Sequence, residues 1–284
     1  MKPAPFAYVA PRSLDEVVGL LAAEGDRCKL LAGGQSLVPA MNMRLARPEV
    51  LVDLNRLDAT GGVRIGAERV AIGPLVRHVS LERGAVPGPL GRLLARTAAL
   101  VGHLPIRERG TFCGSLAHAD PASEWCTLVT ALDGDMVARS SRGERTIASR
   151  SFFDTVFTTA LEPDEILVEA QLPLLGPTWR SAVVELSRRA GDFAVVVVVA
   201  LLDVREGRVE AARIAVGGAS GRPRRLGGAE ELLAGATPST DLLREVAEEA
   251  RRSVEPHGDL HGRGPYRKHL VGVLVRRALE EALA

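Results

Sequence analysis

The sequence predicts an α+β protein: a small α/β lobe over residues 1–55, a larger and mostly antiparallel lobe over 56–177, and a C-terminal domain over 178–284. Three observations carry that reading. A strand–helix–strand–loop–strand pattern fills the first lobe, and period-two alternation takes over from Val63. Then a run of five valines, Val195 to Val199, precedes two helical stretches that close the chain.

Ser13-Leu14-Asp15-Glu16 forms a capping box, in which the Ser13 hydroxyl takes the third helical N–H and Glu16 reaches back. Val17, Val18, Leu20 and Leu21 then give one apolar stripe, and Gly25 suits the helix stop. Lys29 to Ala32 reads as a short buried strand entering a glycine loop, and Val50 to Leu54 as another strand. Val63-Arg-Ile-Gly66 and Arg69-Val-Ala-Ile-Gly73 alternate and read as a hairpin.

Pro89 to Gly102 is predicted helical, with Leu90, Leu93, Leu94 and Ala98 on one face. A second small-residue loop follows, Arg109 to Pro121, and then a helix over 122–132 whose start is marked by Asp120-Pro121. Met136 to Arg139, Arg145 to Ile147 and Ile166 to Leu172 read as short strands. Leu174-Leu-Gly-Pro177 is the expected domain boundary. Beyond it, Phe193 to Val204 and Arg208 to Val216 read as paired strands, because β-branching restricts χ1 in a helix. Helices near Ser239–Val254 and Pro265–Leu283 finish the chain.

Composition excludes several partners. Lys plus Arg number 36 against 35 Asp plus Glu, a net charge of +1, so bulk charge does not select nucleic acid or a membrane surface. Aromatics are 4%, too few for a stacking platform along single strands. The longest apolar run, Phe193 to Leu202, is too short to span a bilayer. The N-terminus lacks the apolar centre of a signal peptide, and Cys28, Cys113 and Cys126 contain no Cys-x-x-Cys pair. A cytoplasmic protein that builds no iron–sulfur cluster of its own is expected.

The candidate site lies in the two glycine stretches. Ala32-Gly33-Gly34-Gln35-Ser36 follows the first strand, and Gly110, Thr111, Gly114 and Ser115 sit in the second. Glycine lets backbone N–H groups approach phosphate oxygens, and Thr111 and Ser115 add hydroxyl donors. Neither stretch has the Lys-Ser/Thr of a nucleotide-hydrolase loop, which fits a held phosphate better than a hydrolysed one. Each stretch also reads as a plain capped turn. His118 and Asp120 form a possible acid–base pair, although a histidine among small residues is more often structural. His257 and His261 have metal-ligand spacing, but Pro256 and Gly258 argue against the helix it needs. Arg188, Arg189 and Asp192 form either a solvated turn or a charged rim.

Longer motifs narrow this. Leu31-Ala-Gly-Gly-Gln-Ser-Leu-Val-Pro-Ala-Met-Asn-Met-Arg-Leu-Ala-Arg-Pro48, followed by Leu51-Val-Asp-Leu54, resembles the flavin-binding subunit of the xanthine dehydrogenase and aerobic carbon monoxide dehydrogenase family, the molybdenum hydroxylases. Ile106-Arg-Glu-Arg-Gly-Thr-Phe-Cys-Gly-Ser-Leu-Ala-His-Ala-Asp-Pro-Ala-Ser-Glu124 is similar to that family's second flavin motif, and Tyr266 to Leu279 to its C-terminal helix. The resemblance implies a two-lobed FAD-binding domain of the vanillyl-alcohol-oxidase-like type, then a C-terminal three-stranded antiparallel sheet with helices.

FAD would lie between the lobes. Ala32, Gly33, Gly34, Gln35 and Ser36 would wrap the pyrophosphate, with Leu31 and Leu37 flanking them. Thr111, Gly114 and Ser115 would complete the phosphate and ribityl contacts, and His118 and Asp120 join the candidate set. Glu124 falls where the family has an acid near the cofactor, and Leu167 where an apolar side chain sits beside it.

The resemblance also implies a molybdenum-cofactor large subunit and a small subunit with two [2Fe–2S] clusters, in a dimer of heterotrimers. Electrons would pass through FAD to an external acceptor, with no catalytic residue on this chain. A stand-alone FAD-dependent oxidoreductase and a non-redox nucleotide-binding protein with a vestigial cleft are the competing expectations. Three departures stand out. Cys113 replaces a usual glycine, Glu108 a common asparagine and Glu185 a common lysine.

Overall fold

The computed structural model describes residues 1–58 and 61–284. The first lobe is built from β1 (Ala7–Val9), α1 (Leu14–Glu24), β2 (Cys28–Leu31), α2 (Leu37–Asn42) and β3 (Val50–Asp53). Its sheet has the order β1-β3-β2, with β3 parallel to both neighbours. Val17, Val18 and Leu21 of α1 pack on Val52 and Leu54, as the apolar stripe requires. Ser13 caps α1 by accepting from the Glu16 amide at 3.2 Å, but the Glu16 carboxylate accepts from the Arg12 amide rather than from Ser13.

The second lobe starts with the predicted hairpin, β4 (Val63–Ile65) and β5 (Arg69–Ile72). Four helices follow: α3 (His78–Glu82), α4 (Gly88–Leu100), α5 (Leu104–Arg109) and α6 (Phe112–His118). The second glycine stretch is therefore not a loop. Thr111 opens α6 by accepting from the Gly114 amide at 3.1 Å, and Ala119 ends it in the left-handed region at φ 52°. Phe112, Cys113 and Leu116 bury one face of α6, a spacing too short to register as helical periodicity.

α7 (Glu124–Ala131) begins later than Asp120-Pro121 suggests. The Asp120 carboxylate accepts from the Ala122 amide at 2.8 Å, closing an Asx turn, and Ser123 supplies the cap. β6 (Asp135–Ser140), β7 (Gly143–Ala148), α8 (Ser149–Phe152), β8 (Phe153–Thr155), β9 (Thr158–Thr159) and β10 (Ile166–Pro173) complete the lobe. Its antiparallel sheet runs β4-β5-β10-β6-β7, and β8 pairs with β9 apart from it.

The C-terminal sheet has four strands, β11 (Trp179–Ser187), β12 (Ala194–Arg205), β13 (Arg208–Gly217) and β14 (Arg224–Arg225), against the three expected. The extra strand is only two residues long, below what periodicity can show. Arg225 fixes it there through Glu230 at 2.6 and 2.7 Å and Asp133 at 2.8 Å. β12 explains the valine run: Val196, Val198, Ala200 and Leu202 face one core, and Val197, Val199 and Leu201 face the other. A strand covered on both sides loses alternation and reads as continuously apolar.

Three helices cover the outer face: α9 (Gly227–Leu233), α10 (Thr240–Arg252) and α11 (Gly264–Leu283). The other face packs against α4 and α7, so the second lobe and the C-terminal sheet share one core, while the first lobe keeps its own around α1 and β3.

Arg267, 5% exposed on α11, ties this domain together. Its guanidinium donates to the carbonyls of Val195 at 2.5 Å and Gly218 at 2.8 Å, and to Asp259 at 2.6 Å. Arg267→Met is expected to cost about 2–4 kcal/mol, because two backbone carbonyls and the Asp259 carboxylate lose a charged donor. A lower midpoint in chemical denaturation checks this; an unchanged midpoint refutes it.

Candidate functional site

A cleft of about 590 Å³ opens between the two lobes, within the range of about 300–1,000 Å³ typical of small-molecule sites. One wall is the segment from the end of β2 into α2. The opposite wall is the α5–α6 junction, closed at one side by the Phe157–Leu167 segment.

On the first wall, the amides of Gly34, Gln35, Ser36 and Leu37 donate to no acceptor among the described residues. Four consecutive unpaired N–H groups at a helix start make a concave anion-binding nest. Gly34 holds the turn at φ 73°, where a side chain is strained and where a Cβ would press on Leu31 at 3.1 Å and Val38 at 3.2 Å. Gly33 has a different task. Its own Cβ would sit 2.4 Å from the Arg109 carbonyl oxygen and 2.6 Å from the Gly110 Cα, so the two lobes touch there only because residue 33 is glycine.

A polar seam holds this junction. Asn55 donates from Nδ2 to the Ala32 carbonyl at 2.8 Å and to Asp53 at 2.6 Å. Arg77 donates to the Asn55 side-chain oxygen and to the Arg109 carbonyl, linking the lobes. Burial works against the Asp53 anion. Hydrogen bonds from Tyr8 and Asn55 outweigh it and hold the carboxyl below its ordinary range.

Of the residues predicted from sequence, the cleft wall brings together Ala32, Gly33, Gly34, Gln35, Ser36, Leu37, Thr111, Gly114, Ser115, His118 and Leu167. Leu31 packs behind Gly34. Asp120 and Glu124 lie outside the wall. Asp120 is engaged in its Asx turn, and Glu124 is 5% exposed at the start of α7. The His118 ring stacks 4.9 Å from that of Phe157, and burial lowers its pKa despite the nearby Asp120. His257 and His261 fall outside any helix, as Pro256 and Gly258 suggest.

The departures from the family pattern fall in different places. Cys113 is 2% exposed and its thiol donates to the carbonyls of Ile72 and Gly73, so its side chain serves the core. Glu108 is solvent-exposed. Glu185 on β11 meets Glu124, and its Oε2 is buried without a partner. Burial pushes the Glu124 carboxyl up to about 8, with Glu185 and Asp120 adding repulsion, and pushes Glu185 up to about 7. Arg188 and Arg189 occupy an exposed turn, and Gly191 beside them, at φ 84°, packs so closely on His103 that a Cβ would sit 2.4 Å from its ring.

Sequence reasoning missed His78, Phe157, Thr158, Thr159 and Glu165 as wall residues. No motif marks them, since they reach the cleft from the lobe sheet's connections. Glu165 is held below its ordinary range by two bonds from Arg145, at 2.7 and 2.8 Å. Lys29 is the only Lys or Arg in the wall among the described residues. Phosphate there would thus be met chiefly by amides and hydroxyls. The nest, the positive φ at Gly34 and the long cleft between lobes fit the pyrophosphate of FAD.

Comparisons agree over the whole chain. Residues 4–175 match the family model for the FAD binding domain in molybdopterin dehydrogenase, and residues 181–282 match that for the CO dehydrogenase flavoprotein C-terminal domain. The 6-hydroxypseudooxynicotine dehydrogenase complex subunit alpha of Paenarthrobacter nicotinovorans is 37% identical over 284 residues, covering 100% of this chain and 96% of the relative. The carbon monoxide dehydrogenase medium chain of Hydrogenophaga pseudoflava is 33% identical over 288 residues, 100% of this chain and 99% of its own. A solved carbon monoxide dehydrogenase from that organism superposes with a TM-score of 0.95 at 33% identity, covering 100% of this chain and 99% of that one. The lobes, the nest between them and these full-length matches together place the chain in the family of FAD-binding subunits of the molybdenum hydroxylases, with FAD as its cofactor.

Proposed function

We infer that the protein is the FAD-carrying subunit of a molybdenum-containing hydroxylase or dehydrogenase, an oxidoreductase component that relays electrons from [2Fe–2S] clusters on one partner to an external acceptor. The observation that carries this reading is the row of unpaired amides from Gly34 to Leu37, facing Thr111, Gly114 and Ser115 across the cleft. When bound, FAD supplies the redox chemistry, accepting electrons from one side and releasing them to the other.

The chain's own residues bind and orient. Ala32 to Ser36, flanked by Leu31 and Leu37, cradle the pyrophosphate. Thr111, Gly114 and Ser115 meet the phosphate–ribityl stretch, His118 stands at the wall, and Leu167 gives an apolar side. Asp120 and Glu124 stand behind these, Asp120 fixing the turn into α7. No side chain is required to break a substrate bond. Residues 1–55 and 56–177 would act as the two halves of the FAD-binding domain, and 178–284 as the C-terminal domain.

The partners are a molybdenum-cofactor large subunit and a [2Fe–2S] small subunit, in a dimer of heterotrimers, located in the cytoplasm. No helix among the described residues is long and apolar enough to cross a membrane. Among the same residues, no group of three His, Cys, Asp or Glu side chains could hold a metal ion.

Acid precipitation of the purified chain is expected to release a yellow compound that co-elutes with FAD, at one per chain. The flavoprotein alone is expected not to oxidise the physiological substrate of the complex. Turnover by the isolated flavoprotein would instead favour a stand-alone oxidoreductase. A chain that stays colourless in excess FAD would favour the non-redox reading.

A further inference from the structure

We propose that His78 binds the cofactor directly, as a neutral, fixed-tautomer hydrogen-bond donor from Nε2 to an oxygen of the FAD pyrophosphate. The proposal rests on the FAD reading of the cleft and extends it to a residue that no motif marks.

His78 is 3% exposed, yet it belongs to the cleft wall. The indole N–H of Trp125 donates to its Nδ1 at 3.0 Å. An atom that accepts a hydrogen bond carries a lone pair, so the single ring proton of a neutral imidazole must sit on Nε2. Trp125 is itself fully buried and packs edge-to-face on Phe112 at 4.9 Å, which fixes the donor and therefore the tautomer.

Nε2 has no partner among the described residues, and it is not among the atoms sealed from solvent. The ring edge carrying it lies over Gly110, where a Cβ would come within 2.6 Å of Nε2. Gly110 is also the residue whose Cα Gly33 approaches across the lobes, and His78 shares the cleft wall with Gly34 to Leu37. The side chain is more than nine-tenths buried and held by Trp125, while its one N–H is open to the cleft and free to donate to an acceptor bound there.

Protonation does not compete at neutral pH. Burial lowers the His78 pKa to about 4, and Arg77 and Arg107 add repulsion. Arg107 is occupied by Glu82 at 2.7 Å, and Arg77 by Asn55 and the Arg109 carbonyl. A second ring proton would also displace the Trp125 bond. The donor is therefore present, uncharged and unchanged in orientation across the physiological range.

Two isosteric variants separate binding from scaffolding. His78→Asn places a carbonyl oxygen where Nδ1 stood and can keep the Trp125 bond, but it has nothing at the Nε2 position. His78→Gln reaches the Nε2 position with an N–H and abandons Trp125. FAD affinity by flavin fluorescence titration is expected to fall about 10- to 100-fold in His78→Asn, with the apo melting temperature near that of the parent chain. His78→Gln is expected to lose melting temperature while keeping FAD affinity within about threefold of the parent.

A purely structural histidine would give the reverse order, with affinity following stability, and that order would overturn the proposal. The parent chain labelled with ¹⁵N-histidine gives a test that needs no variant to fold. The His78 Nε2–H signal is expected to shift and to become protected from exchange when FAD is added, and an unmoved signal refutes the assignment. If the parent chain itself binds no FAD, the reading of the cleft fails instead. The two failures are thereby distinguishable.

Discussion

Gly33→Val is expected to abolish FAD binding, with affinity falling by at least about 100-fold, the scale of forcing an overpacked contact apart. The sequence suggests a simple reason, that a branched side chain would occupy the pyrophosphate's space. The structure gives another. The Cβ of residue 33 would lie 2.4 Å from the Arg109 carbonyl oxygen and 2.6 Å from the Gly110 Cα, so the substitution drives the two walls of the cleft apart. Backbone on both sides cannot swing away as a flexible side chain would. The Arg77 bridge from Asn55 to Arg109 then loses its geometry as well.

Gly34→Val acts differently. It strains a φ of 73° and presses on Leu31 and Val38, distorting the nest within one lobe. Flavin content after purification, measured beside the apo melting temperature, checks both variants. Stoichiometric FAD in a folded Gly33→Val chain would refute this account of the junction.

Stability is expected to fall as pH rises from mildly acidic to mildly alkaline, and Glu185→Gln is expected to flatten that dependence. Glu124 and Glu185 meet at a buried joint between the second lobe and the C-terminal sheet, with burial the main cause of both shifts. Two carboxylates have no proton to share. Contact between them is favourable only when one is protonated.

Both folded-state pKa values stand above the ordinary 4.5, at about 8 for Glu124 and about 7 for Glu185. The folded chain therefore binds more protons than the unfolded chain between those limits, and the joint's contribution is lost as pH climbs through about 7 to 8. The melting temperature is expected to be lower by roughly 5 °C at about pH 9 than at about pH 6. In Glu185→Gln one of the two titrating groups is gone, and the amide can donate to Glu124 once it ionises, so less stability is lost as pH rises. Parallel pH profiles for the two chains would show that this pair is not the source.

The elements legible in the sequence are those whose pattern is local. Ser13 before the α1 stripe, the alternation of β4 and β5, and the flanked helices α10 and α11 each bury one face, so a repeat of 3.6 or 2 survives in the residue order. The glycine turn in the cleft wall was readable for a similar reason. It needs glycine within a few consecutive residues, and Gly33 and Gly34 follow one residue after the end of β2.

α6 was not legible, because its buried face is only Phe112, Cys113 and Leu116 and its cap, Thr111, also belongs to the glycine motif. β14 escaped because two residues carry no period, and Arg225 is fixed by Asp133 and Glu230 from other segments.

Residue order by itself determined the fold class, the two glycine stretches and the family, since each depends on short-range spacing. Only the tertiary structure decided that Gly33 serves contact between lobes, that Glu185 faces another acid, and that His78 joins the cleft wall with its Nδ1 held by Trp125. Those facts depend on which distant backbones approach each other. Desolvation and unpaired donors arise only from that approach, and no local pattern along the chain encodes it.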